Sequence, residues 1–267
     1  MDIRTWLANA KEKIPASDAE LILLYVLGEK DRTYLVSHDT RFLTDVEIEK
    51  ANRYLEERIS NRPLAYLVNN KEFYGRDFYV NEKVLIPRPE TEDIIDLVKE
   101  IIQKNNLKSP SIYDIGTGSG CIAITLKQEL PDAIIVAVDN SPEALEVARR
   151  NDETYGTKIN FRNGNLLTGL EDDKIDIVVA NLPYVDKKWD WLDLDALGYE
   201  PVSALFATDD GLAIIKELLD QIPKNETIKY VLLEADLGQH QEIINYAKQK
   251  GLDLVEARNF ILYFVSL

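Results

Sequence analysis

The chain has 267 residues, of which 45% are hydrophobic, which is enough for one or two globular domains and excludes global disorder. It carries 47 Asp and Glu against 31 Lys and Arg, and the net charge of −16 argues against a nucleic-acid backbone as the main partner, because phosphate contacts need clustered Lys and Arg. The chain has a single cysteine, Cys121, which excludes an internal disulfide and fits the reducing cytoplasm. It has no run of about 18 apolar residues, so we predict a cytoplasmic protein without a membrane-spanning helix.

Helical patterns dominate the first part of the chain. The segment DAELILLYVLG places Leu21, Leu24 and Tyr25 on one face of a predicted helix, and Gly28 follows as a stop signal. These patterns predict a small helical domain over residues 1–70.

A second helix in this domain is predicted from a capping box. Thr44 is an N-cap candidate, and Glu47 stands three residues later. Aromatic and β-branched residues then fill EFYGRDFYVNEKVLI, residues 72–86, which favours a β-hairpin. We therefore predict a hairpin linker over residues 71–89.

From residue 111 onward, short apolar runs alternate with amphipathic segments, which is typical of a wound α/β sheet. We predict one α/β domain over residues 90–267. Only Arg258 and Asn259 separate the last two runs, so these two strands are expected to pair antiparallel. The runs are SIYDI, AIIVAVD, INFRNG, IDIVVAN, IKYVLLEA, LDLVEA and FILYFVS.

A glycine-rich loop, IGTGSGC, joins the first of these strands to a helix. Gly116, Gly118 and Gly120 allow positive φ angles and a close approach of a ligand to the backbone. Cys121 stands where the dinucleotide fingerprint would place its third glycine. Asp114, two residues before the loop, is a candidate partner for a ligand ammonium group. A tight turn without a ligand remains the alternative.

Asp139 ends the next strand, 23 residues after Gly116. An acid at this position can accept hydrogen bonds from both ribose hydroxyls of a nucleoside. The alternative is an N-cap for the helix that follows, a role that Ser141 can also fill. A cationic amino acid joined to a nucleoside suits this loop better than a pyrophosphate does, which predicts S-adenosylmethionine (SAM) as the ligand.

The segment VVANLPYVD ends an apolar strand with Asn181, Leu182, Pro183 and Tyr184. Prolines are common in the turns that follow strands, and these residues by themselves are compatible with a simple turn. An Asn followed by a rigid turn and an aromatic ring is also compatible with a small polar clamp.

Several stretches together resemble the HemK/PrmC family of SAM-dependent methyltransferases, which modify the glutamine of the GGQ motif in peptide-chain release factors. The resemblance covers nearly the whole chain and implies a Rossmann-like class I methyltransferase domain, joined by a β-hairpin to a small helical domain that docks the release factor. The stretches are RPLAYLVNNKEFYGRDFYVNEKVLIPRPETE, YDIGTGSGCIAI, VVANLPYVD, YEPVSALFATDDGL and LLEADLGQHQEII.

The resemblance also assigns residues to the cofactor. The loop of Gly116, Thr117, Gly118, Ser119 and Gly120 is similar to the one that lines the methionine end of SAM, and Asp139 to the ribose acid. The segment GNLL resembles the adenine-side turn, where Asn165 stands in place of the family's acid and Leu166 forms the apolar wall or is plain core.

The family motif at the strand end is Asn-Pro-Pro-Tyr, and here Leu182 replaces its first proline. By this resemblance, the Asn181 side chain also borders the cofactor, and its carbonyl and the backbone carbonyl of residue 182 accept the two N–H groups of the substrate amide. Pro183 shapes the turn and Tyr184 packs on the amide. Catalysis then depends on positioning and oriented dipoles.

The resulting hypothesis is an N5-glutamine methyltransferase that acts on release factors as a monomer, without direct nucleic-acid binding, and that yields S-adenosylhomocysteine. Two alternatives remain. An adenine-N6-type nucleic-acid methyltransferase has a similar clamp, and a basic groove beside Tyr184 would favour it. A SAM-binding module that has lost turnover through Leu182 is the other.

Overall fold

The structure is a computed structural model, and it describes residues 1–189 and 197–266. The described residues form two compact units. The first unit contains Met1–Asn70 together with residues 197–199. The second contains residues 71–189 and 200–266.

The first unit is helical. Its helices pack around an apolar cluster that includes Trp6, Ile22 and Leu23, all of them buried. The predicted capping box is confirmed, since Thr44 and Glu47 bond reciprocally at the start of the fourth helix. The helices are α1 (Ile3–Lys11), α2 (Ala16–Leu27), α3 (Arg32–Ser37), α4 (Asp45–Ile59) and α5 (Leu64–Val68).

The face of α2 that carries Leu21, Leu24 and Tyr25 is only partly buried. Leu21 and Tyr25 are 40% and 38% exposed, whereas Leu24 is buried. The buried stripe instead includes Ala19 and Ile22. Helix α2 is apolar on nearly all sides, so its sequence contains no polar face that would identify the opposite, buried one. Gly28 ends the helix in the left-handed region, as predicted.

The second unit begins with a β-hairpin of β1 (Lys71–Phe73) and β2 (Arg76–Phe78). This hairpin is shorter than the predicted one, because the ladder ends where Asn151 bonds both backbone groups of Tyr79, at 2.8 and 3.0 Å. A short 3₁₀ turn, Pro89–Thr91, then leads into the next helix.

A seven-stranded sheet forms the middle of the second unit, in the order β5-β4-β3-β6-β7-β9-β8. The first five of these strands run parallel, and β9 pairs antiparallel with both β7 and β8, as the short connection between the last two runs predicted. The strands are β3 (Ser111–Ile115), β4 (Ile134–Asp139), β5 (Asn160–Asn163), β6 (Ile177–Ala180), β7 (Tyr230–Glu234), β8 (Leu252–Arg258) and β9 (Ile261–Ser266).

Helices cover both faces of this sheet. Alternate side chains of each central strand enter two different apolar clusters: Val178 belongs to one, and its neighbours Ile177 and Val179 belong to the other. A parallel sheet buried on both faces explains why these strands read as continuous apolar runs. The helices are α6 (Glu92–Asn105), α7 (Cys121–Glu129), α8 (Pro142–Tyr155), α9 (Val202–Leu205), α10 (Ala213–Gln221) and α11 (His240–Gln249).

None of the helices in the described ranges combines the length and the apolar character that crossing a membrane requires.

Candidate active site

A cavity of about 540 Å³ opens at the carboxyl ends of β3, β4 and β6. Wound sheets bind ligands at this edge, where the strand order reverses. The volume lies within the usual range for a small-molecule site. Most of the predicted site residues line it: Gly116, Thr117, Gly118, Ser119, Asp139, Asn165, Leu166, Asn181, Leu182 and Pro183. Asp114, Gly120 and Tyr184 are not among the residues that line it.

The glycine loop needs glycine at two positions for packing reasons. Gly116 has φ +75°, and a Cβ there would lie 2.9 Å from Cδ2 of Leu182. Gly120 has φ +79°, and a Cβ there would lie 3.1 Å from Ala148. Side chains at these positions would push the loop away from the strand-end turn and from α8.

Asp114 is completely buried beneath the loop. Its Oδ2 accepts hydrogen bonds from the Thr117 hydroxyl at 2.6 Å and from the backbone N–H of Ala123 at 3.2 Å. Its Oδ1 is buried without a hydrogen-bond partner. Burial raises the pKa of Asp114 to about 7. The carboxyl group thus fixes the loop and keeps one acceptor oxygen unused.

Asp139 lines the cavity at the end of β4. Its Oδ2 accepts from the Gly118 N–H and its Oδ1 from the Ser141 N–H, both at 2.9 Å. Burial raises the pKa of Asp139, and these backbone hydrogen bonds oppose the rise. Each carboxylate oxygen retains a second lone pair for a ligand. The N-cap of α8 is Ser141, whose hydroxyl accepts from the backbone N–H of Ala144. Asp139 is therefore not the N-cap of this helix.

Asn165 and Leu166 follow β5 in sequence, and both line the cavity. Leu166 is buried and has φ +52°, an uncommon backbone conformation for a leucine. The Nδ2 of Asn165 donates to Oε1 of Glu217 at 2.8 Å. Glu217, on α10, also lines the cavity. A carboxylate therefore stands beside Asn165, although the sequence has none at that position.

The turn at residues 181–184 follows β6. Asn181 is half-buried, and its Nδ2 donates to the hydroxyl of Thr91 at 3.0 Å. The other polar group of this side-chain amide is its carbonyl oxygen, which is a hydrogen-bond acceptor. Leu182 is 4% exposed and packs into the sheet core against the glycine loop. The side chain of this residue therefore joins the two loops that border the cavity.

A buried carboxyl group supports this turn from behind. Glu234 ends β7, the strand next to β6, and its Oε1 accepts from the Tyr184 hydroxyl at 3.2 Å. Burial raises the pKa of Glu234 to about 7, and hydrogen bonds from Thr91, Tyr184 and Asn181 oppose that rise. Burial, followed by the charge of Glu234, raises the pKa of Tyr184.

The backbone of the turn is held as well. The Gln239 side-chain amide donates to the carbonyl oxygens of Tyr184 and Asp210, both at 2.8 Å. Gly211 lies so close that a Cβ would be 2.1 Å from the Tyr184 carbonyl oxygen. Sequence reasoning assigned no role to Thr91, Glu217, Glu234 or Gln239. The one available signal was a carboxylate at the end of an otherwise apolar strand.

Arg88 forms an ion pair with Glu200, which is 5% exposed. The second oxygen of Glu200 accepts from the backbone N–H of Ile86 at 3.1 Å. These contacts fix the segment that leads to Thr91.

Two family models match the sequence. One, described as a methyltransferase small domain, matches residues 94–194, and the other, described as the PrmC N-terminal domain, matches residues 2–68. Among solved structures, the hMettl16 catalytic domain in complex with MAT2A 3'UTR hairpin 6 has a TM-score of 0.58 at 15% identity, covering 79% of this chain and 82% of that one. A methyltransferase from Pyrococcus furiosus has a TM-score of 0.50 at 16% identity, covering 82% and 99%. These two likenesses concern the fold.

The fold, the loop and the family model together define a class I SAM-dependent methyltransferase. A release factor glutamine methyltransferase of Neisseria gonorrhoeae is 34% identical over 96% of this chain and 92% of its own. Those of Koribacter versatilis and Chlorobaculum tepidum are 39% and 41% identical, over 78% and 74% of this chain and 74% and 71% of theirs. The chain belongs to the release factor glutamine methyltransferase family.

Proposed function

We propose that this enzyme methylates the side-chain amide nitrogen (N5) of the glutamine in the GGQ motif of peptide-chain release factors. The observation that carries the proposal is the orientation of Asn181. Its NH₂ group donates to Thr91, so its carbonyl oxygen remains as an acceptor at the edge of the cavity. An acceptor at this point suits a substrate that brings N–H groups to the site.

The cavity has features that suit SAM. The unused buried oxygen of Asp114 and the free lone pairs of Asp139 are acceptors for an ammonium group and for ribose hydroxyls. The absence of a side chain at Gly118 leaves the loop backbone open to a ligand. Leu166 provides an apolar wall, and the Asn165–Glu217 pair provides an acceptor for an exocyclic amine.

When bound, SAM would supply an electrophilic methyl group for the glutamine nitrogen, with S-adenosylhomocysteine as the leaving group, and the nitrogen would release one proton to solvent. An amide nitrogen is a weak nucleophile, because its lone pair is delocalised into the carbonyl. The Asn181 carbonyl and the backbone carbonyl of Leu182 can accept its two N–H groups, which fixes the nitrogen and favours a localised lone pair. Pro183 and Tyr184 restrict the turn and exclude water. Positioning of this kind supplies much of the rate enhancement in enzymes without a strong base.

The first unit has a separate role in this proposal. Its helices carry the match to the PrmC N-terminal domain, and they would dock the release factor so that the glutamine reaches the second unit as part of a folded protein. In the same proposal, residues 71–89 connect the docking domain to the catalytic domain. The enzyme would act in the cytoplasm as a monomer on a protein substrate.

The experiment is incubation of the enzyme with labelled SAM and a purified release factor, followed by mass-spectrometric mapping. We expect a single added methyl group on the GGQ glutamine. A release factor with that glutamine changed to alanine is the matched control and should remain unlabelled. Label in nucleic acid instead would favour the adenine-N6 alternative, and SAM binding without any methylation would favour the module that has lost turnover.

A further inference from the structure

Gln239 is a buried polar side chain that the proposed chemistry does not use. It is 7% exposed, and burying an amide is costly unless its polar groups are hydrogen-bonded. It stands at the N-cap position of α11, yet its side chain makes no capping bond to that helix. The reason for a buried glutamine at this point must therefore lie in its other contacts.

The Gln239 amide is hydrogen-bonded through both of its polar groups. Its Oε1 accepts from the backbone N–H of Asp236 at 3.2 Å, which fixes the orientation of the amide. Its Nε2 then donates to the carbonyl oxygens of Tyr184 and Asp210, both at 2.8 Å. A single side chain thus joins the turn at residues 181–184 to the loop at residues 208–212.

The loop at residues 208–212 has an unusual backbone. Its residues Asp209, Asp210 and Gly211 have positive φ angles of +58°, +52° and +87°. This conformation is unfavourable for an aspartate, and it persists only where the surrounding structure imposes it. It brings Gly211 so near that a Cβ there would lie 2.1 Å from the carbonyl oxygen of Tyr184 and 2.5 Å from Nε2 of Gln239. The backbone of the loop therefore fits closely against this contact.

The turn at residues 181–184 is held at its two ends. Before it, the pairing of β6 with β3 and β7 fixes the chain as far as Ala180. After it, the backbone of Val185 makes two hydrogen bonds with residues 205–207, at 3.0 and 3.1 Å. Gln239 extends this second support into the turn itself, because Tyr184 is the last residue of the turn.

We propose that Gln239 is a positioning residue for methyl transfer, which fixes the Tyr184 end of the turn and thereby the direction of the Leu182 carbonyl. The inference rests on the proposed function, in which this carbonyl receives the substrate amide. Between the two supports, the φ of Pro183 is restricted, so few backbone rotations remain by which the carbonyl could turn away. Without the bonds of Gln239, fewer substrate complexes would hold the amide nitrogen in line with the methyl group.

The first test removes the hydrogen bonds and keeps the length of the side chain. With release factor and SAM saturating, Gln239→Met should lower kcat by roughly 10- to 100-fold, the loss expected for misplacing a group at the reacting centre. Gln241→Met is the matched control, because Gln241 is exposed on the same helix, and it should keep the wild-type kcat. A wild-type kcat for Gln239→Met would overturn the inference.

Binding constants and stability separate positioning from a purely structural role. The Kd for SAM, measured by calorimetry, should stay within about twofold in Gln239→Met, because Asp114 and Asp139 keep their own hydrogen bonds. The KM for release factor should change far less than kcat. A purely structural Gln239 would lower the free energy of unfolding and leave kcat per folded enzyme unchanged, and that result would contradict the proposal.

Gly211 offers an independent test from the side of the loop. Gly211→Ala places a Cβ 2.1 Å from the Tyr184 carbonyl oxygen, so the turn or the loop must shift. Gly251→Ala is the matched control, because Gly251 has a similar φ of +79° but a Cβ there would meet nothing within 4 Å. We expect Gly211→Ala to lose kcat as Gln239→Met does, and Gly251→Ala to lose only stability. Equal kcat values for the two glycine variants would contradict the proposal.

A last readout needs no activity. Hydrogen exchange of the Val185 N–H can be followed by NMR, since this group is bonded to Leu205 directly after the turn. Loosening of the turn should speed this exchange by about threefold to tenfold in Gln239→Met and leave it unchanged in Gln241→Met. Unchanged exchange in Gln239→Met would refute the support of the turn. If the wild type left release factors unmethylated, the proposed function would fail while this measurement still decided whether Gln239 holds the turn.

Discussion

The glycine loop, residues 116–120, and the turn at residues 181–184 follow neighbouring parallel strands and border one cavity, but they are stabilised in different ways. The loop is held by Asp114 and Thr117 beside it, by Val138 and Asp139 on the next strand, and by Asn151 on α8, which is 32 residues from Ser119. The turn is held by side chains from distant parts of the chain, Thr91, Glu234 and Gln239.

This difference has a functional meaning. A loop that binds the same cofactor in many enzymes needs backbone geometry, which glycines and one or two acids supply locally. A turn that orients a substrate amide must present a hydrogen-bond acceptor toward that amide, and its orientation depends on several contacts that converge on the turn. We therefore expect changes in the loop to affect cofactor affinity and changes in the turn to affect turnover.

The largest effect should follow removal of the Asn181 side chain. Asn181→Ala deletes a preorganised acceptor and should lower kcat by roughly 10²–10³. Single-turnover methylation of release factor measures this loss, and the Kd for SAM should change by no more than about twofold because Asp139 and the loop remain intact. A variant that turned over at the wild-type rate would remove Asn181 from the catalytic site.

Leu182 tests how far the two regions depend on each other. Leu182→Ala opens a cavity between the turn and Gly116, and it should lower the free energy of unfolding by about 2–5 kcal/mol. Leu237→Ala is the matched control, since Leu237 is 59% exposed, and it should change stability by less than about 0.5 kcal/mol. Denaturant titrations compare the two. Equal stabilities would mean that Leu182 does not join the loop to the turn.

Leu182→Pro restores the proline of the family motif and gives a finer comparison. It stiffens the turn but loses the contact of the leucine side chain with the loop. We expect kcat to be kept or raised, with part of the stability loss of Leu182→Ala. A folded Leu182→Pro enzyme without activity would show that this turn has a geometry of its own.

Binding of the SAM ammonium group next to Asp114 should release a proton from this residue. Its pKa of about 7 in the free protein lies above the unfolded value, so at pH 6 the carboxyl is mostly protonated. An ammonium beside Oδ1 favours the charged form and lowers that pKa, so SAM binding should release up to about one proton at pH 6 and much less at pH 8. Calorimetry in buffers of different ionisation enthalpy measures the release. Asp114→Asn should abolish it, and an undiminished release in that variant would assign the proton to another group.

The smallest effect is expected for Glu217. Because its carboxylate is exposed, its charge is screened by water, and Glu217→Gln should weaken SAM binding only about twofold to fivefold. Glu153→Gln removes a charge that is also exposed but does not line the cavity, and it should leave affinity unchanged. If both variants behaved alike, the Asn165–Glu217 pair would have no part in binding the adenine.

The sequence was informative where a structural signal is local. Thr44 and Glu47 predicted a capping box, and the strands of the sheet could be predicted because their runs are apolar and bounded by turns. The hairpin was predicted too long because Asn151, more than seventy residues away, ends its ladder at Tyr79.

The support of the turn could not be predicted for the same reason. Thr91 lies 90 residues before Asn181, and only the fold brings the two together. Glu234 reads as the end of an apolar run, and nothing in that run indicates that the acid is buried against a tyrosine. Long-range polar contacts of this kind depend on strand order, which periodicity does not specify.

The separation of the two regions can be tested most directly by measuring two quantities on two variants. The Kd for SAM and the single-turnover rate at saturating SAM should be determined for Asn181→Ala and for Asp139→Asn. We predict that Asn181→Ala loses roughly 10²–10³ in rate and keeps its affinity, whereas Asp139→Asn loses about tenfold in affinity and keeps a rate near that of the wild type. If both variants instead changed both quantities in parallel, the loop and the turn would act as a single unit, and the division between a cofactor-binding loop and a substrate-orienting turn would be wrong.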